Sequence, residues 1–163
     1  MRAGPFVTEP SHILGKLLAI AAGDECSFSI FGIDWPTRDG TAMRDYVHVW
    51  DLALAHVAIL ENFDSVFANI DEMFNVINLG SGTGVTVKDF VSAFQKKLVK
   101  PLNISNAPRR VGDSVGAFAN CDKANRLFGW KAIYGIEDGI YDALAWTEHF
   151  RVSKHSTHEL LYR

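Results

Sequence analysis

The sequence predicts an α/β fold, because short apolar runs typical of strands alternate with longer segments of helical periodicity. Apolar runs occur at 28–31 and 74–79, and apolar residues follow one helical face over 10–23 and 136–150. Segments rich in glycine and proline separate these elements. Hydrophobic residues make up 48% of the 163 residues, so the chain can build a substantial core.

The first elements are a helix and a strand. Pro10 suits the first helical position, an apolar stripe follows it, and Gly23 suits the residue just past the last turn. Residues 28–31 form a short apolar run bounded by a turn, which predicts a buried strand. Residues 32–41 are rich in loop formers, and a loop of this length often carries function.

The middle of the chain continues the alternation. Residues 46–49 alternate as a short strand does, and Asp51 is placed to favour the start of a second helix. Residues 74–79 are strand-like and lead into a glycine-rich turn at 80–84. Thr86 is a candidate N-cap for the helix that follows and runs to about residue 98.

Four further segments complete the predicted order. Residues 102–105 are predicted as a strand, and residues 108–116 as a charged loop. A short helix is predicted over 122–129, with Asp122 as its candidate cap. An amphipathic helix is predicted over 136–150, followed by a polar, loosely held tail.

Composition excludes several classes of function. A formal net charge of −3 argues against a nucleic-acid or anionic-membrane partner, which would select a basic surface. No apolar run is long enough for a membrane span, and residues 1–10 lack the features of a signal peptide. Cys26 and Cys121 are too few for a disulfide framework or a zinc site. We therefore expect a cytoplasmic chain with reduced cysteines and no metal.

Arg44 and Tyr46 are the first candidates for chemistry. If their segment is extended, residues two apart point to the same face, which would then present a guanidinium and a phenol. A guanidinium binds phosphate oxygens in bidentate fashion. The alternative is that Arg44 only pairs with a nearby carboxylate, such as that of Asp39 or Asp45.

A second cationic group lies in the loop after Pro108. Arg109 and Arg110 are adjacent and are followed by Asp113, and such a pair is more often a solvated surface feature than a ligand site. His48 and His56 lie eight residues apart without metal-ligand spacing, and we interpret them as structural.

The stretch FSIFGIDWPTRDGTAMRDYVHVWDLAL at 28–54 carries a resemblance to a known family. It resembles the C-terminal, substrate-binding part of UDP-glucose 4-epimerases, which are extended short-chain dehydrogenases with the hallmark fG-x-D-Y-x-T-x-D-G-T-x-x-R-D-Y-I-H-V-x-D-L-A. The resemblance implies a mixed small substrate domain plus trailing elements of the Rossmann sheet. Residues 1–163 would then form a single C-terminal portion, with the N-terminal NAD-binding domain absent.

The residue patterns and the resemblance together give ten candidate substrate-binding residues: His12, Ile13, Ser29, Ile30, Phe31, Arg44, Tyr46, Arg110, Asp113 and Ala117. By resemblance to the family's P-x-R-x-G-D pattern, Arg110 would bridge a diphosphate and Asp113 would contact a ribose. The backbone of residues 29–31 would bind uracil, although core packing is a rival explanation for Ile30 and Phe31. By the same resemblance, Ala117 stands where family members that exclude N-acetylated sugars carry a bulky tyrosine, which implies a wider pocket that accepts UDP-N-acetylhexosamines.

Two features of the family are missing from this sequence. None of its four tyrosines begins a Tyr-x-x-x-Lys pair, and Val85 stands where a dinucleotide fingerprint at 80–85 would need its third glycine. In the family, NAD accepts a hydride from C4 of the sugar and the tyrosine removes the 4-hydroxyl proton. We therefore expect no catalytic or cofactor-binding residues here, and NAD only in the complete enzyme.

Three functions remain open on this basis. The chain would be the UDP-hexose-binding part of an epimerase of galactose metabolism, inactive alone, with a separate chain that carries the NAD-binding half as a candidate partner. It could instead be a UDP-sugar-binding module without catalysis, or a non-functional remnant. Sheet elements that lack their partner strands would leave unpaired backbone groups, so poor stability in isolation is expected.

Overall fold

A computed structural model describes residues 10–68 and 74–161 and confirms the α/β class. In the described residues, helices and short strands follow in the order α1 (Ile13–Ala22), β1 (Phe28–Phe31), β2 (Met43–Arg44), α2 (Val49–Glu61), α3 (Phe63–Phe67), β3 (Val85–Thr86), α4 (Val87–Gln95), β4 (Ile104–Ala107), α5 (Asp122–Phe128) and α6 (Ile136–Leu161).

The strands form two small pairs. β1 and β4 are parallel, with Phe28 opposite Ile104 and Phe31 opposite Ala107. β2 and β3 are antiparallel, with Met43 opposite Thr86. The predicted strand at 28–31 is confirmed, whereas the one predicted at 102–105 begins two residues later.

Two predicted strands are wrong. Residues 46–48 are irregular and Val49 already begins α2, because the preceding side chain caps the helix there. Residues 74–79 join no ladder within the described parts of the chain. A strand exists only where its backbone groups find a partner, so an apolar, β-prone run alone does not make one.

Histidines cap two of the helices. His12 Nδ1 accepts a hydrogen bond from Gly15 N at 3.1 Å, and α1 begins at Ile13. The prediction that Pro10 is the first residue of this helix is therefore wrong. His48 Nδ1 accepts from Trp50 N at 3.1 Å and starts α2 in the same way. An imidazole nitrogen can act as a cap acceptor although histidine is not among the preferred capping residues.

Other helix boundaries agree with the sequence in part. Thr86 caps α4 in a capping box with Asp89, as predicted, but this helix ends at Gln95. The carboxylate of Asp122 does not cap α5, since it is the Asn120 side chain that accepts from Asp122 N at 2.9 Å. The last helix passes the predicted end at residue 150 and continues to Leu161.

The core lies where α1, α4 and α6 meet. Leu17, Phe94 and Ile140 are fully buried there, with Phe90 beside them. A second cluster joins α2 to α5 through Ala55, Ala124 and Trp130.

Asp51 ties α2 to the segment before α6. Its side chain is 1% exposed and accepts hydrogen bonds from Ile133 N at 3.1 Å and Tyr134 N at 3.0 Å. Its backbone carbonyl accepts from Trp130 Nε1 at 2.9 Å.

No helix in the described part of the chain is long and apolar enough to cross a bilayer.

Candidate functional site

A cavity of about 480 Å³ opens between the start of α1, strand β1, strand β2 and the loop at 108–116. Its wall includes eight of the ten predicted substrate-binding residues, namely His12, Ile13, Ser29, Phe31, Arg44, Tyr46, Arg110 and Asp113. These residues come from four separate segments, which the fold brings together.

Two predicted residues lie elsewhere. The Ile30 side chain is 4% exposed and points away from the cavity into the protein, as alternation along β1 requires. Ala117 is exposed and does not line the cavity. The cavity therefore gives no support to a wider sugar pocket at Ala117.

The guanidinium of Arg44 is free to bind an anion. Its Nη1 donates to the neighbouring Met43 carbonyl at 2.7 Å, and it forms no ion pair with any described carboxylate. Pairing with Asp39 or Asp45, the alternative that the sequence left open, does not occur. Gly116 packs so closely on this strand that a Cβ there would overlap the Met43 carbonyl oxygen.

Asp45 is a positioning residue that sequence reasoning missed. Its carboxylate accepts from Ser81 N at 2.7 Å, from Ser81 Oγ at 2.5 Å and from Ala119 N at 2.9 Å. Partial burial would raise the pKa of Asp45, but these hydrogen bonds outweigh burial and hold the pKa below its usual value. The carboxylate fixes the backbone between Arg44 and Tyr46, the two side chains that face the cavity.

The phenol of Tyr46 is held by packing. Its ring lies 4.5 Å from the ring of Phe90 in the core. Burial raises the pKa of Tyr46, and the nearby Arg44 charge offsets only part of that rise. The hydroxyl is therefore protonated at neutral pH and can donate a hydrogen bond into the cavity.

Arg110 lines the same cavity from the loop at 108–116. Its guanidinium carbon is 4.6 Å from the centre of the Phe31 ring, and its Nε is 3.2 Å from the Asp113 carboxylate. The Arg110 side chain remains 62% exposed, so its other donors are available to a ligand.

The neighbouring Arg109 has a different role. Its guanidinium lies 3.7 Å above the Trp35 ring, and its Nε donates to Asp34 Oδ1 at 2.8 Å. Gly32 lies against both side chains, and a Cβ there would leave no room for Trp35. Of the two adjacent arginines, one faces the cavity and the other holds the loop at 32–41.

The end of that loop is fixed by buried hydroxyls. Asp39 accepts from Thr41 N at 2.8 Å and from Thr86 Oγ1 at 2.5 Å, and both threonines are fully buried. Burial would raise the pKa of Asp39, but the threonine hydrogen bonds and the Lys88 charge lower it overall. Asp89 has a pKa lowered in the same manner, with Arg38 as its charged partner.

The glycine turn at 80–84 does not fit a dinucleotide phosphate. The Ser81 amide, which such a site would offer to a phosphate, already donates to the Asp45 carboxylate. A Cβ at Gly80 would overlap the same carboxylate, so this glycine makes room for an acidic side chain. This turn therefore does not fit the pyrophosphate of NAD. The described part of the chain also contains no cluster of metal-ligating side chains.

Comparisons with known proteins agree with the resemblance found in the sequence. The NAD dependent epimerase/dehydratase family matches residues 2–80. UDP-glucose 4-epimerase 3 of Oryza sativa subsp. japonica is 42% identical over 139 residues, covering 85% of this chain and 36% of the relative. UDP-glucose 4-epimerase of Rhizobium meliloti is 40% identical over 154 residues, covering 92% of this chain and 44% of the relative.

Solved structures show the same fold. A UDP-glucose 4-epimerase from Stenotrophomonas maltophila, with bound NAD and formylated UDP-arabinopyranose, superposes with a TM-score of 0.81 at 32% identity, covering 91% of this chain and 43% of that one. The enzyme from Bifidobacterium longum, in complex with NAD+ and UDP, gives a TM-score of 0.75 at 34% identity, covering 86% and 40%. The chain spans less than half the length of the curated relatives that it matches.

Proposed function

We propose that this chain, which belongs to the NAD dependent epimerase/dehydratase family, supplies the UDP-sugar-binding surface of a UDP-glucose 4-epimerase. The observation that carries the proposal is that Arg44 and Arg110 face one cavity from segments far apart in the chain. Two guanidinium groups that line one cavity suit the two phosphates of a nucleotide sugar. Ser29, Phe31 and Asp113 would then hold the nucleoside.

The relatives support this choice of ligand. One solved neighbour carries UDP and another carries a modified UDP-arabinopyranose. We propose a cytoplasmic role in galactose metabolism for this chain, where Cys26 and Cys121, both free thiols, would stay reduced.

The acid/base residue and the NAD site would come from polypeptide outside these 163 residues, either in the same protein or in a separate chain. Helix α2 offers a surface for it, because several large apolar side chains on one helical face are more than a third exposed: Val49, Trp50, Leu54, Val57 and Leu60. Phe74 and Val76, in the segment that lacks a strand partner, are also mostly exposed. Exposed apolar area of this kind marks a contact surface.

Calorimetric titration of UDP into the purified chain tests the proposal. We expect binding that weakens as salt is raised and that drops at least about tenfold on Arg44→Gln or Arg110→Gln, since each removes a charge-assisted contact. Arg126→Gln, at an exposed position on α5 away from the cavity, is the matched control and should bind as the unmodified chain does. UDP binding that is absent, or that is insensitive to both cavity arginines, would refute the proposal.

An assay with UDP-galactose and NAD separates the binding part from a complete enzyme. We expect no turnover, because the sequence contains no Tyr-x-x-x-Lys pair to remove the 4-hydroxyl proton. UDP binding without turnover also separates the proposal from a remnant that binds nothing.

A further inference from the structure

Lys16 and Glu25 are two charged residues of the cavity wall to which neither the sequence nor the proposed function gives a role. Lys16 lies on α1, one turn after His12, and Glu25 lies in the segment between α1 and β1. The Lys16 ammonium donates to Glu25 Oε1 at 2.7 Å. Their side chains are 41% and 33% exposed, so both remain in contact with water and with whatever enters the cavity.

The charges of the wall can be counted. Lys16, Arg44 and Arg110 contribute three positive charges, and Glu25 and Asp113 contribute two negative charges. The net charge of the wall is therefore +1 when histidine is counted as neutral. Without Glu25 the net charge would be +2, because no carboxylate would neutralise the Lys16 ammonium.

This balance bears on which diphosphate binds. A diphosphate esterified at both ends, as in a nucleotide sugar, carries about two negative charges at neutral pH. A diphosphate with a free terminal phosphate carries about one further negative charge, because the last proton of that phosphate has a pKa near 6. A third uncompensated cation in the wall would favour the more highly charged ligand.

We infer that Lys16 and Glu25 form a specificity-determining ion pair, in which Glu25 neutralises a third wall cation and so disfavours nucleotides with a free terminal phosphate relative to nucleotide sugars. The inference rests on the proposed function. In this role Glu25 does not touch the reacting atoms, and it acts through the Lys16 charge. Because both groups are partly hydrated, we expect a change of about two- to threefold per ligand charge.

The test is the ratio of the affinities for UDP and UDP-glucose, measured by calorimetry at low salt. Glu25→Gln should shift this ratio about two- to threefold towards UDP, and Lys16→Gln should shift it in the opposite direction. Both shifts should shrink at about 1 M salt, where the screening length is about 3 Å.

Two further variants separate charge from packing. The double variant Lys16→Gln/Glu25→Gln loses the same tether between α1 and β1 but keeps the net charge, so its ratio should stay at the original value. Glu137→Gln is the matched control. Glu137, on α6, pairs with Lys96 at the end of α4 at 3.6 Å, and neither residue lines the cavity.

A ratio that is unchanged in Glu25→Gln, or that shifts equally in Glu137→Gln, overturns the inference. If UDP binding depends on Arg44 while the ratio does not move, only this inference fails. If the unmodified chain does not bind UDP at all, the proposed function fails and takes the inference with it.

Discussion

Replacement of Asp45 by asparagine should destabilise the chain strongly for a change of a single atom. The carboxylate of Asp45 accepts three hydrogen bonds, two on Oδ1 from Ser81 and one on Oδ2 from Ala119 N. An amide offers one oxygen and one NH2 group. In either orientation, at least one backbone N–H would therefore face another donor.

The expected loss follows from these contacts. A hydrogen bond to a charged acceptor contributes about 1.5–3 kcal/mol, and a buried donor left without a partner costs about 1–3 kcal/mol. Because the site is only partly buried, we expect Asp45→Asn to lower the free energy of unfolding by about 2–3 kcal/mol. The affinity for UDP should fall as well, since the same carboxylate fixes the backbone between Arg44 and Tyr46.

Urea denaturation followed by tryptophan fluorescence measures the change, since the chain has four tryptophans. Asp64→Asn is the matched control, because Asp64 is exposed on α3 and should change stability by less than about 0.5 kcal/mol. If Asp45→Asn unfolds within about 0.5 kcal/mol of the unmodified chain, the assignment of Asp45 as the anchor of this segment is refuted.

Two further predictions concern backbone space and pH. Gly116→Ala should cost at least about 2 kcal/mol, because its φ is +112° and an added Cβ would overlap the Met43 carbonyl oxygen. Gly112→Ala, at φ +88° with open space around it, should cost only about 1 kcal/mol in thermal or urea unfolding, and equal losses at both positions would contradict this reasoning. Because the pKa of Asp45 is lowered in the folded state, its stabilising effect is complete above the ordinary carboxyl pKa and is lost as the pH falls through the lowered one. The melting temperature should therefore fall between about pH 5 and pH 2, and less steeply in Asp45→Asn, whereas parallel curves for the two proteins would oppose the assignment.

Local signals in the sequence predicted the elements that depend on neighbours in the chain. The apolar run of β1, the Thr86 cap of α4 and the terminal Gly129 of α5 all follow from residues within a few positions of each other. The cavity-facing pair Arg44 and Tyr46 could also be predicted, because side chains two apart in an extended segment share a face. Their common cavity with Arg110 came from the resemblance to the family.

Features that depend on distant partners were not accessible. Asp45 binds groups that lie 36 and 74 positions away, so nothing near it in the sequence signals its role. The pairing of Lys16 with Glu25 spans the end of a helix and its following turn, and helical spacing does not predict it. Residues 74–79 have the composition of a strand, but no composition can supply the partner that a strand needs.

The parallel pairing of β1 with β4 has a consequence for how the chain folds. Ser29 and Ser105 face each other across this pair although 76 positions separate them. The chain between the two strands must lose conformational entropy before any contact between them forms, and this loss opposes their pairing. The cavity wall that contains β1 therefore cannot form from neighbouring residues alone, and its assembly requires contact between two segments that are far apart in the sequence.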